Sequence, residues 1–244
     1  VLDIKMNEGN SKRFNVSGGL GLISSKLNVE GPIVKDKASF LVTGRRTYAD
    51  VFLKATEDFK DNKLYFYDLN AKLNYRINQK NRLFLSGYFG RDKLGLGDIF
   101  GIDWGNTTGT LRWNHIVNDK LFSNTSFIYS KYDYKINISG GDVDFSIRSQ
   151  IQDLNLKQEF QYFLNTRNKI KFGANVIRHS ITPGQVDANS ASGINAKKIK
   201  PTNTFESAVF VSNDWTVNEK LTVNYGLRGS LLTVLGSGDE MYTY

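Results

Sequence analysis

The side chains best suited to proton or metal chemistry are two histidines, His115 and His179. They fall at opposite ends of predicted strands and lack metal-ligand spacing, so they read as isolated polar or interfacial residues. Asp142-Val143-Asp144, following Gly140-Gly141, could offer carboxylate oxygens to calcium. A calcium cage needs roughly 6–8 oxygens, so two carboxylates in a polar loop read as solvated. Gly18-Gly19-Leu20-Gly21 and Gly95-Leu96-Gly97 are glycine-rich, yet neither opens a helix after a strand as a phosphate cradle does. The first reads as strand that needs small residues in a crowded interior, the second as loop. Cysteine is absent, which removes disulfides, thiolate nucleophiles and Cys-based zinc sites. The scattered carboxylates form no recognisable acid–base pair, and no serine elbow is present. No catalytic residue, cofactor or metal ligand is assigned, and an enzyme is not expected. The chemistry points to a wall.

What repeats is a turn. It reads Asn78-Gln79-Lys80-Asn81, Asn118-Asp119-Lys120, Asn165-Thr166-Arg167-Asn168-Lys169 and Asn218-Glu219-Lys220, with an earlier relative in Val34-Lys35-Asp36-Lys37. The recurrence at roughly 40–50 residues signals a repeated supersecondary unit. Asn and Asp suit such corners because they bond their own backbone and tolerate left-handed conformations.

Between the turns run long alternating segments. From Leu64 to Ile77, Tyr65, Tyr67, Leu69, Ala71, Leu73, Tyr75 and Ile77 share one face, while Phe66, Asp68, Asn70, Lys72, Asn74 and Arg76 share the other. Leu154, Leu156, Phe160 and Tyr162 oppose Asp153, Asn155, Lys157, Glu159 and Gln161 in the same way, and the segments around Val209 and Val223 repeat the pattern. Phe14 to Val29 changes phase midway, which predicts a bulge near Ile23-Ser24-Ser25. About ten strands result, many longer than the 9–11 residues that a tilted membrane strand requires. Soluble strands run mostly to about 5–6 residues, which disfavours a sandwich or an open solenoid.

No run of about 18 apolar residues exists that could form a spanning helix. A barrel hides its hydrophobicity in every second residue, consistent with a mean hydropathy of -0.38. The formal charge of +8 is scattered over turns (Lys35, Lys37, Lys80, Arg82, Lys120, Arg167, Lys169, Lys220) and along strands, not gathered into a basic motif, so no nucleic-acid partner is expected. Pro32 is expected at the first turn, with Pro183 and Pro201 in a long loop and none inside a strand. Tyr65-Phe66-Tyr67, Phe160 to Phe163 and Trp215 lie where aromatic girdles would. Long connections are expected at 54–63, 91–106, 133–144 and 180–203, the last carrying Asn189-Ser190-Ala191-Ser192-Gly193 and Asn195. By strand parity they all project from one end, the outside of the cell in a barrel of this kind. The opening Val1-Leu2-Asp3-Ile4-Lys5 lacks the cationic start and apolar core of a leader, so the chain is expected to be a mature or truncated piece.

Several stretches resemble the TonB-dependent outer-membrane receptors, especially those of Bacteroidetes-type bacteria. They are Val1 to Asn10, Gly19-Leu20-Gly21-Leu22-Ile23-Ser24-Ser25-Lys26-Leu27, Glu30-Gly31-Pro32-Ile33, Ser39-Phe40-Leu41-Val42, Arg45-Arg46-Thr47-Tyr48-Ala49-Asp50, and Trp104-Gly105-Asn106 with Leu111-Arg112-Trp113-Asn114-His115. The resemblance implies an all-β, antiparallel transmembrane β-barrel wall, with these strands part of a plugged barrel of about 22. It implies residues 1–12 as the end of a plug domain and its transition to the barrel, and 13–244 as partial barrel. It implies uptake of a scarce nutrient across the bacterial outer membrane. The implied partners are the lipid bilayer, a plug and further strands outside this chain, and a TonB complex engaged through a preceding region. Ligand contacts would lie in loops around Asp98 to Trp104 and Pro183 to Lys200, with Asn70, Lys72 and Asn74 holding plug or water. The chain would stop in an extracellular loop at Gly236-Ser237-Gly238-Asp239-Glu240. The alternative is a barrel that scaffolds a cell-surface complex, with a surface lipoprotein as partner.

Overall fold

A computed structural model describes residues 7–140, 143–188 and 199–236. Val1–Met6, Asp142, the 189–198 stretch with Asn189 to Gly193 and Asn195, and Ser237 to Glu240 all lie outside the described residues.

The described residues form one antiparallel sheet in which each strand pairs with its sequence neighbours. The strands are β1 (Asn15–Leu20), β2 (Ser24–Val34), β3 (Ala38–Thr47), β4 (Lys63–Arg76), β5 (Asn81–Leu96), β6 (Phe100–Ile116), β7 (Leu121–Gly140), β8 (Val143–Asn165), β9 (Asn168–Ala188), β10 (Thr202–Asn218) and β11 (Leu221–Leu235). One short helix, α1 (Ala49–Leu53), and a 3-10 turn at Glu57–Phe59 lie between β3 and β4.

The repeated turns fold by one device. Asn118 Oδ1 accepts the backbone N–H groups of Lys120 and Leu121, both at 2.9 Å. Asn165 does the same for Arg167 and Asn168, and Asn218 for Lys220 and Leu221. Asn78 takes the Lys80 N–H at 2.9 Å. Each side chain satisfies donors that have left the ladder, so the chain reverses without orphaned amides. The turn between β2 and β3 uses backbone geometry instead, with Asp36 in the left-handed region at φ 59°.

The phase change in Phe14 to Val29 is a chain reversal, not a bulge. β1 ends at Leu20, β2 begins at Ser24, and Gly21 N–H donates to Ser24 C=O at 2.8 Å. A hairpin and a bulge both shift parity, and this one raises the count to eleven strands among the described residues.

At the opposite end, two of the four expected connections are largely strand, and the described part of a third begins in one. Residues 91–106 hold the end of β5 and most of the outer half of β6, with Gly97 turning the corner at φ 54°. Residues 133–144 belong to β7 and β8 apart from the corner, and 180–188 to β9. The ladder continues there with ordinary register, Asp133 opposite Gln150 and Lys135 opposite Arg148. Alternation disappears because polar residues occupy both faces beyond the bilayer, while the backbone pairing that defines a strand does not need it. The expected connection at 54–63 stands, apart from its 3-10 turn and the first residue of β4.

Two prolines also sit within strands. Pro32 is in β2 beside a register shift, and Pro183 is in β9 opposite the shift between Arg148 and Gln150. Irregularities are where a residue without an N–H can be tolerated in a ladder. Pro201 directly precedes β10.

The sheet is inside-out relative to a soluble one. Lys72 and Asn74 are 8% and 6% exposed, whereas Leu73 between them is 42% exposed and Leu156 54%. Leu73, Leu85, Leu111, Phe127, Leu156 and Val176 form a continuous row across six strands. Aromatic rings border this apolar face. Tyr65, Tyr67 and Phe89 pack in succession toward the long-hairpin end. Trp113 with His115, Phe160 with Phe172, and Trp215 lie toward the short turns. Phe66 points the other way, under the Arg45 guanidinium. Gln158 shares the apolar face, but its amide bonds Thr125 at 2.7 Å and Ser123 at 2.8 Å, so it needs nothing from lipid.

The two faces are separable by adjacent substitutions in the full-length polypeptide. Leu156→Arg should cost about 2–4 kcal/mol as a cation near the middle of the lipid-facing band. Asn155→Arg, one residue away on the polar face, should be close to neutral. Urea-induced unfolding in bilayers checks both, and equal costs would overturn the assignment of faces.

Candidate functional site

The polar face becomes a lumen wall when the sheet curves, and its densest chemistry lies near the short turns. Alternation places Lys72, Asn74 and Arg76 of β4 on this face. Across the Asn78 turn the register sets Arg82 opposite Arg76 and Phe84 opposite Asn74. Arg112 of β6 comes opposite Phe84. Phe84 is buried, with the Lys72 ammonium 5.8 Å, the Arg82 guanidinium 5.0 Å and the Arg112 guanidinium 4.6 Å from its ring centre. Three cations therefore surround one ring, each drawn to the negative quadrupole of its faces.

The segment ahead of β1 docks here. Glu8 Oε2 lies 2.7 Å from Arg82 Nη2 and accepts from Asn74 Nδ2 at 3.2 Å. Arg82 Nε donates to Asn74 Oδ1 at 2.8 Å, which fixes the guanidinium for Glu8. Asn10 caps its own turn by accepting from Lys12 and Arg13, and its N–H donates to Glu30 at 3.1 Å. Glu30 also takes Asn15 Nδ2, and Asp36 N–H donates to Ser11 C=O. Gly9 presses on the Phe40 carbonyl so closely that a Cβ there would collide with it. A shallow cavity of about 70 Å³ is bounded by Glu8, Gly9, Ser39, Asn74, Arg76 and Arg82.

A second polar row crosses β8 to β11. His179 Nδ1 is 2.8 Å from Asp153 Oδ1, its Nε2 is 3.7 Å from Glu206, and Glu206 is 3.8 Å from Arg228. Nearer the long hairpins, Arg45 holds Asp68 at 2.7 Å. On the other face, beyond the bilayer, Arg91 bridges Asp103 at 3.1 Å and Asp133 at 2.6 Å. The hydrogen bond that Arg91 donates to Asp133 raises the guanidinium above its ordinary range. These groups bind and orient, and no nucleophile stands beside a base among them.

The sequence-level candidates distribute as follows. Asn70, Lys72 and Asn74 face the lumen, as their parity requires. Asp98 sits in the corner between β5 and β6, and Phe100 to Trp104 begin β6. Pro183 to Ala188 are strand, while 189–198 lie outside the described residues. His115 bonds Asn81 at 2.8 Å on the lipid-facing side, far from the lumen row of His179. Asp144 pairs with Ser139 Oγ in a hairpin, and Asp142 is not among the described residues. Gly18 and Gly19 are exposed in β1, with no crowding beyond the neighbouring strand. Gly95 and Leu96 are strand, and Gly97 alone is turn.

Sequence reading missed the cluster around Phe84. Its signal was present, because counting outward from the Asn78 turn pairs Arg76 with Arg82 and puts Arg112 one strand further. The Glu8 contact had no such signal, since it spans residues far apart along the chain.

No family model matches the chain, and no curated protein sequence does either. Solved structures do match in shape. The copper transporter OprC superposes with a TM-score of 0.67 at 11% identity, over 91% of this chain and 37% of its own. The ferric preacinetobactin receptor BauA of Acinetobacter baumannii gives 0.67 at 10% identity, over 95% and 43%. The ferric-catecholate import receptor Fiu of E. coli gives 0.64 at 12% identity, over 92% and 42%. The chain thus spans about two fifths of the length of these proteins, and its fold is that of the barrel wall of TonB-dependent outer-membrane receptors.

Arg82→Ala removes the cation that Glu8 meets, and Gly9→Ala forces the segment off the Phe40 carbonyl. Both should speed tryptic cleavage at the exposed Lys12-Arg13 pair in the full-length polypeptide, whereas Arg228→Ala, at the far row of the lumen face, should not. Limited proteolysis with mass-spectrometric mapping decides it, and unchanged cleavage in both variants would mean that the segment is not held by these contacts.

Proposed function

We propose that this chain is the N-terminal portion of the barrel of a TonB-dependent transporter in the bacterial outer membrane, which takes up a scarce nutrient through a plugged lumen. The observation that carries the reading is the placement of Asn7–Asn10. The segment runs along the polar face, bonded to it through Glu8 and Asn10, while the opposite face offers leucine, phenylalanine and valine to lipid. A chain that enters from inside and then builds the wall is the order expected of a plug followed by its barrel. Residues 1–12 then form the exit from the plug, and 13–244 the wall.

The similar structures are named for copper, ferric preacinetobactin and ferric catecholate. Their names support a metal or metal chelate as the nutrient class. Capture would fall to the long hairpins, around Asp98 to Trp104 and Pro183 to Lys200, because their described residues, Asp98 to Trp104 and Pro183 to Ala188, lie at the end of the sheet opposite the short turns. Energy would come from an inner-membrane TonB complex that engages a region outside this chain and displaces the plug. The further strands that complete the barrel would pair with the free sides of β1 and β11, since an open edge in hydrocarbon leaves backbone groups unsatisfied.

The test is the intact mass of the polypeptide extracted from native outer membranes. A mass several times the 27.6 kDa of this chain is expected. A mass of 27.6 kDa would leave a small closed barrel and remove the plugged transporter.

A further inference from the structure

We propose that the cationic ground around Phe84 is a docking surface for carboxylates of the polypeptide stretch that leads into the wall through Asn7–Asn10, with Glu8 as its first contact. The proposal rests on the barrel reading above.

Lys72, Arg76, Arg82 and Arg112 stand on three adjacent strands and face the same way. Arg76 and Arg82 are directly opposite one another, an arrangement that is destabilising when like charges are left alone. Three of the four cations crowd one buried ring. Cation–π attraction moderates this repulsion, being about 0.5–2 kcal/mol per contact, but it brings no negative charge. Glu8 brings one, placed on Arg82.

Elsewhere on the lumen face several cations meet carboxylates of the wall. Arg45 meets Asp68, Lys157 meets Glu159, Lys169 and Lys171 share Asp214, and Arg228 approaches Glu206. Among the described residues, no carboxylate lies within ion-pair distance of Arg76 or Arg112. Both guanidinium groups are exposed on the lumen side, so a planar fork suited to carboxylate is open to a partner. Arg76 and Arg112 stand where the entering segment lies.

Glu8 shows how the surface is used. A carboxylate from the entering chain takes a guanidinium and a neighbouring amide together, while Gly9 keeps the backbone flush against the wall. Further acidic residues of the same stretch would meet Arg76 and Arg112 in the same manner. The surface would then fix how the inner polypeptide seats against the barrel.

The test uses the full-length polypeptide in outer membranes, with Arg112→Lys and, separately, Arg76→Lys. Both variants keep the charge and supply a primary amine. A water-soluble carbodiimide activates a carboxylate, and an amine in direct contact displaces the urea to form an amide. Peptide mapping by mass spectrometry then reads the partner. The expected result, absent from the parent protein, is a cross-link from at least one substituted position to an Asp or Glu that precedes Asn7. Cross-links only to Glu8 or to wall carboxylates, or none, would overturn the proposal. A polypeptide with nothing before this chain would instead defeat the transporter reading. A preceding domain without the cross-link defeats this proposal alone.

Discussion

Every part of this wall depends on one constraint: a backbone amide facing hydrocarbon has no water to bond. Each unsatisfied group there costs several kcal/mol, so the sheet must pair each strand with its neighbour along the whole lipid-facing height. The order β1 to β11 without a crossover is the simplest solution, because each short turn returns the chain directly to its own edge. The asparagine turns make that return possible by supplying acceptors where the ladder ends. Even the polar exceptions on the lipid side obey the rule, since Gln158 closes its hydrogen bonds on Ser123 and Thr125.

The same constraint explains which parts of the fold were legible from sequence. Within the bilayer one face must be apolar and the other wet, so parity alone sorted Leu154 and Leu156 from Asp153 and Asn155. Where the strands pass beyond the lipid, the backbone still pairs but the side chains are released from the pattern. Hence 91–106 and 133–144 read as loops although β5 to β8 run through them. The hairpin at Gly21-Leu22-Ile23 was mistaken for a bulge for a related reason. A parity change reports that the chain has shifted phase, not whether it has also turned back. Prolines misled in the same direction, because Pro32 and Pro183 occupy irregular positions that pairing tolerates and sequence cannot mark.

The site was less legible than the fold. Alternation put Lys72 and Asn74 on the inner face, but their significance lies in what approaches them from outside the hairpin. Glu8 reaches Arg82 across two strands that the chain has yet to build when Glu8 is passed. Arg76 and Arg82 are visible as a cross-strand pair once the Asn78 turn is located. Their shared sign then appears as a fault in a lone sheet.

That fault is informative because other cations of the wall do meet carboxylates. Aspartates meet Arg45, Lys169 and Lys171 inside the lumen, and Arg91 draws two carboxylates on the outer surface of the hairpins. A sheet able to place those anions could have placed one opposite Arg76. Leaving Arg76 and Arg112 without a carboxylate costs stability unless counter-charges arrive with another part of the molecule. The repulsion then disfavours an empty lumen and favours a filled one, so the wall contributes to seating its contents as well as enclosing them. Such a seat would be held by a few charged contacts near the short turns, which are easier to release in sequence than a broad apolar interface of equal strength.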